Sequence, residues 1–381
     1  MSMHFHRAPL LFTVLIAITP CATAFDEPPD DNVIDELHFE MINGAILIPV
    51  TIENKKTQFV LCTVNSATTI DNSLIHVHDS PERTAQVTTN LGIRQTRIAP
   101  PVTFTAGSQT LVSGPAAVAD FAKTGERREV LGIIGMDVLK GKILTLDFDR
   151  RTIRFLKMPP TSGGVMRALA YTGGVPQIEC QINSNETRRF ELDISNDFAM
   201  TIGSEILEKV VLRDRRPIAG YARTADFSGS ADVPVIRFDC VSFGGFVHTG
   251  VFAQGALGNA IGLQLLNNYV MTFDFKGDRL YLQKGQRWAV EADQSLAKVP
   301  IIAKRINGSV LVTWVRRDSA FAYSVHANDE LVSVGGILIG SKPVPNLVDE
   351  LETAVGPLDL ILLRDGELLH REINPIRRRK R

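Results

Sequence analysis

Two stretches of this chain, Phe59-Val60-Leu61-Cys62-Thr63-Val64 and Phe190-Glu191-Leu192-Asp193-Ile194-Ser195, share one outline: an apolar strand running into a short polar turn. The segments downstream of each also match. Leu131-Gly132-Ile133-Ile134-Gly135-Met136-Asp137 and then Leu144-Thr145-Leu146-Asp147-Phe148 stand against Ala256-Leu257-Gly258-Asn259 and then Met271-Thr272-Phe273-Asp274-Phe275. The separations are 131, 123 and 127 residues (62 to 193, 135 to 258, 147 to 274). The middle of the chain is therefore one unit written twice, and each half must build the same structure.

That unit reads as short strands. Ile46 to Thr51, a polar turn at Glu53-Asn54-Lys55-Lys56 and Phe59 to Leu61 form a hairpin, which Gln177 to Ile182, Asn183 to Asn185 and Arg189 to Leu192 repeat. Residues 80 to 100 are polar with Gly92 and read as another hairpin, ended by Pro100-Pro101; further strands are expected over Val102 to Thr105 and Gln109 to Val112. Met136 to Lys140 reads as a short helix. Ile143 to Phe155 and Val270 to Leu282 read as hairpins turning at Asp149-Arg150-Arg151 and Lys276-Gly277-Asp278. Pro159-Pro160-Thr161-Ser162-Gly163-Gly164 reads as the linker between the halves.

An apolar strand ending in a three-residue polar turn, then a hydrophobic-Gly segment, then paired strands, all duplicated, resembles the retropepsin-like aspartic peptidases of the pepsin/retropepsin clan over residues 45 to 285. The resemblance implies two pseudo-symmetric acid-protease-like β-barrel lobes, 25–160 and 161–290, each bringing one aspartate to a pseudo-two-fold axis. It also implies that Asn90 and Gly92 in one flap hairpin, and Gly220 and Tyr221 near a second, contact substrate. The family's Asp-Thr-Gly stands here as Cys62-Thr63-Val64 and Asp193-Ile194-Ser195. Asp193, Cys62 at the position of the first aspartate, and Thr63 are the candidate catalytic residues.

After Trp288 the style changes. Gly308 to Val315 reads as a strand, Asn328-Asp329-Glu330-Leu331-Val332-Ser333-Val334-Gly335-Gly336 as turn, strand and turn, Asn346 to Thr353 as a helix, and Leu358 to Ile373 as a hairpin through Asp365-Gly366. This resembles a PDZ domain of the bacterial exported type over 295–375, with Asn328 and Ser324 in two of the family's glycine positions. Asn tolerates the left-handed conformation that the first of these requires. The expected fold is all-β, two barrel lobes followed by a PDZ-like α+β domain.

With 381 residues, 44% hydrophobic and 22% charged, the chain is globular, with two or three domains expected. A net charge of −1, without a basic stripe before the end, argues against nucleic acid as partner. His6 and Arg7, the apolar run Leu10 to Ile18 and Ala22-Thr23-Ala24 read as a signal peptide, 1–24, cut after Ala24, giving a secreted or periplasmic protein. Cys21 opens a lipoprotein alternative, which Pro20 directly before it disfavours. No later run reaches the ~20 apolar residues of a membrane span. Residues 25 to 35, acidic and Pro-rich, read as a flexible lead-in. The basic tail, 376–381, reads as a solvated terminus rather than an anionic-surface anchor.

Cys62, Cys180 and Cys240 remain in the mature chain, an odd number that implies no disulfide framework; a Cys180 to Cys240 bond and three buried thiols both stay open. His76-Val77-His78-Asp79 has strand spacing for a metal pair, although a surface loop is the favoured reading and no metal or other cofactor is expected.

The chemistry turns on position 62. Two carboxylates about 3 Å apart cannot both ionise, and their shared proton lets the pair act as base and acid in one cycle. A thiol breaks that logic: beside a negative charge Cys62 keeps its proton, and Asp193 titrates as an ordinary, partly buried acid. Cys62 has no His in either motif to make it a nucleophile. Losing a positioned acid or base costs on the order of 100- to 10,000-fold. Val64 and Ser195 replace glycines that let the turns approach closely, and Ile194 cannot donate the hydrogen bond that Thr63 can. The expected function is an exported aspartic-peptidase-like protein with impaired or lost proteolysis. It would bind extended peptide or unfolded protein segments in the interlobe cleft or the PDZ-like groove. The alternative is an active aspartic endopeptidase using Asp193, completed by a second protomer in a homodimer.

Overall fold

The computed structural model of the chain describes residues 31–373 except 43, 75–82, 90–91, 122–129, 162, 184–185, 227–228, 287, 289–300, 307, 316–318 and 340–356. The leader, Asn90, the His76 and His78 pair, the helix expected over 346–353 and the basic tail lie outside the described residues. The described chain is predominantly β, and no described helix is long and apolar enough to cross a membrane.

In the first half the strands are β1 (Val33–His38), β2 (Glu40–Ile42), β3 (Ala45–Ile52), β4 (Lys55–Leu61), β5 (Thr69–Asp71), β6 (Arg83–Thr89), β7 (Gly92–Ala106), β8 (Gln109–Ala119), β9 (Val130–Ile134), β10 (Ile143–Asp147) and β11 (Thr152–Leu156). The second half has β12 (Val165–Ala168), β13 (Ala170–Thr172), β14 (Val175–Ile182), β15 (Glu186–Leu192), β16 (Met200–Ile202), β17 (Ile218–Asp226), β18 (Gly229–Phe243), β19 (Phe246–Gly255), β20 (Ala260–Ile261), β21 (Tyr269–Asp274) and β22 (Arg279–Lys284). A C-terminal module adds β23 (Ile301–Ile306), β24 (Ser309–Val315), β25 (Glu330–Val334), β26 (Ile337–Leu338), β27 (Leu358–Arg364) and β28 (Glu367–Ile373).

The duplication is visible in the pairing. One sheet runs β2-β3-β4-β9-β5-β8-β7-β6, and another begins β13-β14-β15-β20-β16-β19-β18-β17, the same order element for element. The parallel pairs also correspond, β4 with β9 and β15 with β20, β5 with β8 and β16 with β19. A third sheet, β1-β11-β10-β21-β22-β12, joins the halves at its centre, where β10 pairs with β21 and the Thr145 and Thr272 hydroxyls lie 2.7 Å apart. Alternation explains the strands: β14 and β15 bury Ile178, Cys180, Ile182, Phe190 and Leu192 on one face and leave Glu179, Gln181 and Arg189 outside. The β3–β4 hairpin closes through Glu53 and Asn54, both at positive φ, as a tight two-residue turn requires.

Three expectations need correction, and one alternative left open is decided. The second copy of Gly135 is Gly262, not Gly258. Gly135 and Gly262 each precede a one-turn helix, α1 (Met136–Leu139) and, after α2 (Ser204–Glu208), α3 (Leu263–Leu266). A Cβ there would fall 2.5 Å from the Ala67 carbonyl carbon and 2.1 Å from the Phe198 oxygen, whereas nothing lies within 4 Å at Gly258. Pro100-Pro101 does not end a strand; β7 runs through both, with register shifts either side of Pro101 that remove the need for its missing N–H. The lead-in becomes strand at Val33, because Leu37 is buried while Glu36 pairs with Arg154 and Asp35 accepts from the Ser108 N–H at 2.8 Å. Cys180 and Cys240 are not bonded to each other: Cys180 is wholly buried, and Cys240 precedes the wholly buried Val241 on β18, so it points to the other face.

The C-terminal module has its own core, built on Val310, Val312, Phe321, Val325, Leu331, Leu360 and Leu362. Asn328 has φ 76, the left-handed conformation expected of it. Asp329, 1% exposed, is held by the Arg364 guanidinium at 2.7 and 2.8 Å, a partner the sequence did not suggest. The module joins the second half where Ala222 of β17 pairs with Trp314 of β24.

Candidate functional site

The two polar turns are set by matching bonds. The Cys62 N–H donates to Ile134 O (3.0 Å) and the Asp193 N–H to Ile261 O (2.9 Å); Met136 N donates to Asn65 O and Leu263 N to Asn196 O, each at 2.7 Å. Each turn thus leaves its strand at the point where the neighbouring strand gives way to a one-turn helix. Each polar turn also meets a hairpin turn of the other half: a Cβ on Gly44, in the β2–β3 turn, would collide with Asp197, and one on Gly174, in the β13–β14 turn, would touch Ser66.

Thr63, 1% exposed, bridges them. Its hydroxyl donates to Leu192 O and accepts from the Ile194 N–H at 3.3 Å. Position 194, fully buried, is the second-half counterpart of Thr63 and has no hydroxyl to return the contact. The brace is one-sided.

Cys62 and Asp193 come together, but through a third group. Cys62 Sγ lies 3.2 Å from Ser195 Oγ, and that hydroxyl donates to Asp193 Oδ1 at 2.7 Å. The Ser195 N–H donates to the same oxygen at 2.9 Å, so Asp193 also caps its own turn. Ser195 has a single proton; with that proton on Asp193, its oxygen can only accept, and the thiol must donate. Burial, reinforced by the neighbouring Asp193 charge, pushes the Cys62 thiol up to about 12, which keeps its proton in place. The three side chains form one directed chain from sulfur to hydroxyl to carboxylate.

Asp193 is not the ordinary, partly buried acid expected. It is 4% exposed, and burial raises its pKa despite the hydrogen bonds from Ser195 and the Asn196 backbone that pull the other way. Its neighbours Leu192 and Ile194 are wholly buried, while Ser195 is partly exposed. Glu191 is also raised, by burial and then by Asp193. Sequence reasoning treated Ser195 only as a lost glycine. The Asp-x-Ser spacing, in which an acid accepts from the backbone and side chain two residues on, was the available signal.

Of the other candidates, Gly92 pairs with Thr89 at the tip of the β6–β7 hairpin. Tyr221 on β17 is 49% exposed. Gly220 lies against the C-terminal module, where an added Cβ would stand 3.0 Å from Val315 O and 3.1 Å from Trp314 Nε1. Among the described residues no group of three or more His, Cys, Asp or Glu side chains could hold a metal ion. No protein-family model matches the chain, and no curated protein matches it.

Proposed function

We propose that this protein is a retropepsin-like body of two barrel lobes with a PDZ-like C-terminal domain, exported, in which proteolysis is lost or strongly impaired and extended peptide is bound instead. The observation that carries the reading is the Cys62–Ser195–Asp193 chain. Hydrolysis by a carboxylate pair needs one proton shared between two acids and a water held by both. Here the first acid is a protonated thiol, and the second spends one oxygen on Ser195. The thiol keeps its proton, so the two ends cannot share one as a carboxylate pair does. The repeated sheet order and the approach of the two turns support the ancestry. The independent core and the left-handed Asn328 support the PDZ-like assignment. Peptide capture would proceed by adding a strand to a sheet edge, in the interlobe cleft or the C-terminal groove.

The test is binding set against turnover. Intact protein is titrated into a fluorescent mixture of unstructured decapeptides from pH 3 to 7, and the peptides are then examined by mass spectrometry. Saturable binding without new termini is expected, for the wild type and for Cys62→Asp, because the Ser195 hydroxyl still fills the space between positions 62 and 193. Efficient cleavage by Cys62→Asp alone, blocked by a transition-state-type aspartic-peptidase inhibitor, would overturn the reading.

A further inference from the structure

The strand β24 serves two cores. Val310 and Val312 point into the module, packed with Ala303 of β23. Trp314, two residues on, would share that face in a regular strand. It does not. The β23–β24 register shifts, with Ala303 opposite Val312 and Ile302 opposite Trp314, so that Thr313 is an extra residue and Trp314 is turned to the opposite face. That bulge drives the indole, wholly buried, into the core of the body rather than of the module. There it meets Phe252 edge-on at 5.2 Å and Phe198 edge-on at 6.5 Å. Gly220 leaves room for it on β17. Phe198 ends the turn that carries the site: its N–H donates to Asn196 Oδ1 at 3.0 Å, three residues after Ser195.

We propose that Trp314 makes the C-terminal module a positioning element of the Cys62–Ser195–Asp193 site: β24 docked on β17 holds Phe198, and through it the turn that keeps the Ser195 hydroxyl between thiol and carboxylate. Undocking β24 frees that turn. Among the described residues the indole N–H is buried without an acceptor, which weakens the docked state relative to its apolar contacts and leaves it releasable. A ligand that pulls on β23 or β24 therefore acts on the site from the module. The inference rests on packing and stands whether or not the protein binds peptide between its lobes.

Hydrogen exchange of the intact protein tests it. In the wild type the amides of Ile194, Ser195 and Phe198 should open together with those of β24, in a step smaller than global unfolding. Trp314→Ala should speed exchange at 194–198 by about tenfold or more while the β10–β21 amides change less than about twofold, and Trp314→Phe should restore most of the protection. In a Cys180→Ala, Cys240→Ala background, alkylation of Cys62 should rise in parallel. A folded Trp314→Ala protein with unchanged exchange at 194–198, or with every amide accelerated equally, overturns the proposal. If that variant does not fold, wild-type β24 amides that open while 194–198 stay protected to global unfolding overturn it equally.

Discussion

Ser195 is the residue on which the site depends. Its hydroxyl accepts from one buried group and donates to another, so Ser195→Ala leaves the Cys62 thiol without its acceptor and removes one of the donors at Asp193 Oδ1. An unmet buried polar group costs about 1–3 kcal/mol, and a loss of that size is expected in urea unfolding at pH 7. Asp193 carries a pH dependence of definite sign. Its folded pKa is raised above the unfolded value, so between the two the native state holds more protons and stability falls as pH rises. Asp193→Asn keeps an acceptor for Ser195 but cannot ionise. Measured from pH 3 to pH 8, the stability of the variant relative to the wild type should climb as pH rises above about 4, the unfolded value; a constant gap would mean that burial does not raise the folded pKa of Asp193. Cys62, up at about 12 and 3% exposed, should resist iodoacetamide at pH 8 until the protein unfolds, while the partly exposed Cys240 is modified in the native state. Peptide mapping distinguishes the two.

At the scale of elements, the turns depend on what crosses between them. Thr63→Val removes two hydrogen bonds at a buried position, at about 0.5–1.5 kcal/mol each, so a loss of about 2 kcal/mol is expected in equilibrium unfolding. The glycines are a sharper test. Gly262→Ala puts a methyl 2.1 Å from a backbone oxygen that cannot move alone and should cost about 3 kcal/mol, whereas Gly258→Ala, with open space around it, should stay within about 0.5 kcal/mol. The reverse order would make Gly258 the counterpart of Gly135 after all. Sequence alone pairs those two for a physical reason: β20 is only two residues long, and the Gly-rich run before it, Gly255 to Gly258, imitates the hydrophobic-Gly pattern of β9 without its packing. Hairpins with strong turns were legible, including Asp365-Gly366, where both residues take positive φ. β7 was not, because a proline pair reads as a stop unless a bulge absorbs it. β1 was hidden by its acids, which an edge strand tolerates. The meeting of Cys62 and Asp193 followed from the duplication. The hydroxyl between them did not, since only coordinates show that the Ser195 side chain turns inward.

For the whole molecule, the organising fact is that β10 and β21 pair at the centre of a sheet to which both halves contribute. Neither half completes that sheet alone, and one hydrophobic core runs through both. Unfolding should therefore show a single transition for the two halves, followed by hydrogen exchange of the amides of both, and a fragment of residues 25–160 should fail to fold. Two separate transitions within the halves would contradict this. The C-terminal module has its own core but lends Trp314 to the body, so its melting should be coupled to theirs. The same architecture brings one acid and one thiol to a common floor, and the chemistry that floor can perform decides the function. The most direct measurement is turnover of an unbiased decapeptide library by wild type and Asp193→Asn side by side from pH 3 to 7. Indistinguishable, background-level rates for the two proteins are predicted; acid-optimal cleavage by the wild type that Asp193→Asn abolishes would contradict it.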